Sequence, residues 1–156
     1  MRLAEVLAAL SLGIDLGFGQ PMEHVLRQCL IALRMSERFG CDAAQRRVVY
    51  YSGLLAWVGC FTDAYEQAKW FGDDIALKAD AFAMDGGAVG YFVGHLGMGR
   101  SLPERMRLAV AFLGEGRRAV KSMLENHYLA TDALAVRLGL GDEVRASLNS
   151  RMCSRR

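Results

Sequence analysis

Two prolines in 156 residues are too few for a proline-rich linker or a loop-dominated scaffold. No apolar run approaches the ~20 residues of a membrane-spanning helix. The longest strongly apolar stretch is Leu54 to Phe61. Neither charge dominates: 19 Lys and Arg against 17 Asp and Glu leave a formal net charge of +2. That is too weak for a nucleic-acid footprint, so nucleic acid is not an expected partner. The four cysteines, at 29, 41, 60 and 153, form no C-x-x-C pair, which argues against a zinc knuckle. Cys29 and Cys60 fall in apolar segments and are expected as buried free thiols. P-loop, nucleophile-elbow and G-x-G-x-x-G patterns in a strand-to-helix context are also missing. No alternating run is long enough for a strand.

What is present is helical periodicity. Hydrophobic residues make up 53% of the chain, enough for a sizeable core in one domain. The expectation is an all-α, single compact multi-helix domain over residues 1–148, with a hinge near 85–90 (DGGAVG) and a frayed tail at 149–156. The N-terminal MRLAEVLAALSLGIDLG superficially resembles a signal peptide. Glu5 interrupts its apolar region and no A-x-A cleavage pattern follows, so it reads as a helix and the chain as cytoplasmic, without a membrane partner.

Leu3, Val6, Leu7, Leu10 and Ile14 share one face of that first helix. GFGQP breaks it, and Pro21 suits the first turn of a second helix that Gly40 ends. Asp42 caps a third, running through AAQRRVVYYSGLLAWVGC. Its second half is apolar almost all round, the mark of a central helix. A short helix follows, capped by Thr62 or Asp63, and another starts at Asp73 or Asp74. In the second half, Ser101, Pro103 and Glu104 start a helix ending near Gly114. A longer one is expected over about 117–138, with Val120, Met123, Leu124, His127, Thr131, Leu134 and Leu138 as a heptad-like seam. That seam and the central helix are expected to supply a homodimer surface.

The second and third helices resemble the start of an HD-type phosphohydrolase domain of the HD-GYP kind. HVLRQCLIALRMSERFG places His24, Arg27 and Gly40 at positions matching that family's pattern. The family's next helix ends in L-L-H-D-I-G; here it reads Leu54-Leu55-Ala56-Trp57-Val58-Gly59. More narrowly, the chain is similar to a bacterial group in which such a region precedes a LuxR-type helix-turn-helix. In that group a His stands where this chain has Tyr65, and a later segment like E-R-W-D-G-K-G is replaced by NSRMCSRR.

The resemblance implies divalent-metal chemistry. A metal held by His and Asp lowers the pKa of bound water and polarises a phosphoryl oxygen. Ala56 has no lone pair and the Trp57 indole only donates, so the dyad is absent from its expected place. The leading expectation is therefore a catalytically silent HD-like module with a regulatory, sensor or dimerisation role, derived from a transcription regulator and needing no cofactor. The alternative is a phosphohydrolase holding Mn, Fe or Mg through His24, Asp63, Asp73, Asp74 and His127. A third reading is a small-ligand sensor, its pocket lined by methionines and aromatics. Arg27, Arg46 and Arg47 are anion-binding candidates if they converge, and solvated helix faces if they do not. Asp63 and the Asp73-Asp74 pair also have a purely local reading as helix starts.

Overall fold

The computed structural model describes residues 2–81 and 88–149. Among them are eight helices and no strand, as the periodicity predicts. They are α1 (Leu3–Gly17), α2 (His24–Arg38), α3 (Ala43–Leu55), α4 (Cys60–Phe71), α5 (Asp74–Ala81), α6 (Ala88–His95), α7 (Leu102–Arg137) and α8 (Asp142–Asn149). The first half of the hinge predicted at 85–90, and all of the predicted tail but Asn149, lie outside the described residues. The last three positions of that hinge open α6.

Local chemistry sets several boundaries. The Asp42 carboxylate accepts the Gln45 N–H at 2.8 Å while the Gln45 amide oxygen accepts the Asp42 N–H at 2.9 Å. Glu104 closes the start of α7 in the same way, accepting from the Ser101 N–H at 3.0 Å. Gly40, at φ +74°, takes the left-handed position that ends α2, and Cys41 N–H reaches back to the Ser36 carbonyl. Asp73 accepts the N–H groups of Ile75 and Ala76, starting α5 as expected.

Other boundaries depart from expectation for tertiary reasons. Helix α2 begins at His24, and Pro21 lies in the preceding turn. Glu23 sits at φ +72°, so the chain turns there without a cap of its own. The cap comes from α1 instead: the fully buried Asp15 accepts the Val25 N–H at 3.0 Å. Helix α3 stops at Leu55, and residues 56–59 form a tight turn closed by i to i+3 bonds such as Cys60 N–H to Trp57 carbonyl. Thr62 and Asp63 do not cap α4: Thr62 bonds to the Gly59 carbonyl and Asp63 is buried.

The expected break near Gly114 is absent, and α7 runs unbroken for 36 residues. A glycine inside a helix costs about 1 kcal/mol, but Gly116 answers a packing need. A Cβ there would lie 2.8 Å from the Phe112 ring, which packs edge-on against Trp70 and Phe71. At 1.5 Å rise per residue α7 is roughly 54 Å long, and it serves two cores. Leu7, Ile14, Val25, Leu54 and Leu55 centre the first, with Ala135 and α8 packed on it. Trp70, Phe71 and Leu77 centre the second, beneath Phe112 and Leu108. Bidentate Arg145–Asp132 bonds of 2.8 and 3.0 Å fasten α8 to α7.

The C-terminal half of the seam expected to face a second subunit faces inward, with Thr131 buried and Leu134 and Leu138 packed on the first core, while Val120 and Leu124 in its N-terminal half are exposed. The exposed apolar line of α7 lies nearer its start, at Leu102, Met106, Val110 and Leu113. No helix among the described residues is long and apolar enough to cross a membrane.

Because Asp15 caps α2 from another helix, Asp15→Ala is expected to destabilise the protein by about 1–2 kcal/mol. Thermal denaturation should show a Tm loss of roughly 2–6 °C. Asp15→Asn, which keeps an acceptor, should lose less.

Candidate functional site

The turn at 56–59 delivers its residues to a cavity of about 420 Å³ between α2, α3, α7 and α8. Ala56 and Trp57 line it, together with Gln28, Ser52, His127 and Thr131. The Trp57 indole N–H donates to the Gln28 amide oxygen at 2.9 Å, and its ring meets Phe18 edge-on at 5.3 Å. That fixes the indole in the cavity wall. The buried Ser52 hydroxyl, also in the wall, has no hydrogen-bond partner among the described residues.

Gly59 brings this turn onto α7. A Cβ at Gly59 would stand 2.3 Å from the His127 carbonyl oxygen and 2.6 Å from its ring, so no other residue fits without moving the helix. The close approach places His127 Nδ1 3.0 Å from Asp63 Oδ2, across 64 residues of chain. The Asp63 side chain is 6% exposed and that of His127 15%. The Thr62 hydroxyl, which donates to the Gly59 carbonyl at 2.6 Å, lies 3.4 Å from Asp63 Oδ1, and the Thr131 hydroxyl donates to the His127 carbonyl at 2.9 Å. Burial alone would lower the His127 pKa. The hydrogen bonds to Asp63 and to the Cys60 sulfur, with the carboxylate charge of Asp63, outweigh it and push the value up to about 10. At neutral pH the imidazole is thus a cation in the cavity wall.

Of the five predicted metal ligands, Asp63 and His127 come together. Cys60, not anticipated, joins them: one ligand atom from each lies within 4.8 Å of the other two. His24, Asp73 and Asp74 do not join this group. His24 opens α2, Asp73 caps α5, and Asp74 pairs with the buried Lys78 at 2.8 Å. Tyr65 is largely exposed on α4. Cys60 reads in the sequence as a core thiol. The missed signal is its i, i+3 spacing to Asp63, which puts both on one face of a helix.

Arg27 is held apart from the two adjacent arginines of α3. Arg27 pairs with Glu23 at 3.3 Å, and the Arg47 guanidinium lies 5.7 Å from the Tyr51 ring centre. The α2–α3 hairpin sets Cys29 against Gly53. Arg46 therefore stands opposite Ser36, roughly 13.5 Å along α2 from Arg27 at 1.5 Å per residue.

An HD-type metal would need its His-Asp dyad at 56–57. Neither Ala56 nor the donor-only indole of Trp57, already bonded to Gln28, offers a lone pair. The residues present do not fit that centre.

No family model and no solved structure matches the chain. A 3'3'-cGAMP-specific phosphodiesterase 3 from Vibrio cholerae is 20% identical over 152 residues, covering 95% of this chain. The chain spans only 33% of that protein's length. The likeness is weak. It supports a relationship to an HD-type phosphohydrolase at most, and gives no support to a link with helix-turn-helix regulators.

The raised His127 pKa fixes the sign of a pH effect. Between the ordinary value of 6.5 and about 10, the folded state keeps a proton that the unfolded state releases. This contribution to stability is full below pH 6.5 and is lost as the pH rises toward 10. Urea unfolding in chelator-containing buffer should give a lower midpoint at pH 9.5 than at pH 6.5. Asp63→Asn should flatten the difference.

Proposed function

We propose that this chain is a catalytically silent HD-like module that binds a small molecule and serves a regulatory role. One observation carries the reading: the cavity persists, but at the dyad positions its wall holds a methyl group and an indole already bonded to Gln28. A volume of about 420 Å³ lies within the range of small-molecule sites, roughly 300–1,000 Å³. The wall combines a flat aromatic face (Trp57), a cation (His127) and hydroxyls (Ser52, Thr131). That chemistry suits a compact ligand with an anionic group and a planar apolar part. The exposed apolar line on α7 is compatible with a homodimer in the same regulatory reading.

A second reading, a metal-dependent phosphodiesterase with an unusual ligand set, draws on the phosphodiesterase relative and on the meeting of Asp63 with His127. The two readings part in one experiment. The protein is incubated with 3'3'-cGAMP or bis(p-nitrophenyl) phosphate and Mn²⁺, Mg²⁺, Fe²⁺ or Zn²⁺. The silent module releases no product above the protein-free control, while a ligand seated in the cavity changes Trp57 fluorescence, a change lost in Trp57→Phe. Metal-dependent product release that is lost in His127→Ala would replace the first reading with the second.

A further inference from the structure

We infer that Cys60, Asp63 and His127 form a binding site for a thiophilic divalent cation of the zinc class. The site joins α4 to α7 and is separate from the dyad positions at 56–57. Cys60 and Asp63 stand three residues apart on one face of α4, and His127 meets them from α7. The ligand atoms lie within 4.8 Å of one another, and the Asp63–His127 pair is already at 3.0 Å. Tetrahedral zinc needs about 3.3–3.6 Å between such atoms, from bonds of ~2.3 Å to sulfur and ~2.0–2.1 Å to nitrogen or oxygen. A side-chain adjustment of about an ångström closes the triad.

The donor chemistry selects the ion. A thiolate sulfur beside an imidazole nitrogen and one carboxylate oxygen suits Zn²⁺ or Co²⁺; Mg²⁺ and Mn²⁺ prefer an oxygen shell. The outer groups also fit. The Thr62 hydroxyl, held by the Gly59 carbonyl, lies 3.4 Å from the second carboxylate oxygen of Asp63 and limits where that carboxylate can swing. Gly59 leaves no room for the His127 ring to withdraw toward the turn. In the metal-free protein a proton on His127 holds the place of the cation. Binding releases that proton and the thiol proton of Cys60 to solvent, leaving thiolate and neutral imidazole as ligands. Because His127 also lines the cavity, occupancy replaces the imidazolium in its wall with a metal-bound ring.

The test uses the full chain, stripped with chelator and titrated with Co²⁺ and Zn²⁺. One equivalent of Co²⁺ should bring up a sulfur-to-cobalt charge-transfer band in the near ultraviolet, and Zn²⁺ should displace it. Cys60→Ala should abolish the band and weaken Zn²⁺ binding at least 100-fold, while Cys41→Ser keeps both. The absence of the band in wild type, or its persistence in Cys60→Ala, overturns the assignment; the wild-type reading holds whether or not a variant folds. Turnover is measured separately. Hydrolysis by the zinc-loaded protein would refute the silent reading and leave this site standing, whereas failure to bind cobalt or zinc would refute the site alone.

Discussion

The buried contact between Asp63 and His127 is where the two ends of the fold are tied. Helix α4 starts in the first core, where Cys60 packs, and ends in the second, where Trp70 and Phe71 sit. Helix α7 runs beside it and reaches both cores. The ion pair fixes the two helices against each other at the level of the cavity. A buried charge without a partner is strongly unfavourable. Asp63 therefore constrains where α7 can lie, and the missing side chain of Gly59 constrains how close the turn can come.

The geometry of the cavity follows from that constraint. The turn at 56–59 has to face α7, so whatever stands at 56 and 57 enters the wall. In this chain those residues supply shape, an aromatic face and one hydrogen-bond donor. No phosphoryl-polarising group stands there. The cation in the wall, His127 of α7, is held by the Asp63 carboxylate of α4 and not by any group of the turn.

The fold was largely legible in the sequence because its signals are local. Asp42 with Gln45, Ser101 with Glu104, and Gly40 set their boundaries through bonds within a few residues. What the sequence hid depends on distant partners. Gly116 looks like a helix breaker until Phe112 is seen lying over it, against Trp70 and Phe71. Asp15 gives no hint that it caps α2, since Val25 lies ten residues on. Asp63 reads as a cap because carboxylates near helix starts usually are caps; its partner is 64 residues away. For the site, the sequence shows directly that Ala56 and Trp57 offer no metal-ligating lone pair. The assembly of Cys60 with Asp63 and His127 could not be read there, because no spacing along the chain encodes an approach between α4 and α7.

A double-mutant cycle on Asp63→Asn and His127→Gln, read by urea unfolding in chelator-containing buffer at pH 7, tests the central role of this pair most directly. A coupling energy of about 1–3 kcal/mol is expected. Additive single-mutant losses, within about 0.5 kcal/mol, would show that the two side chains do not hold the helices together.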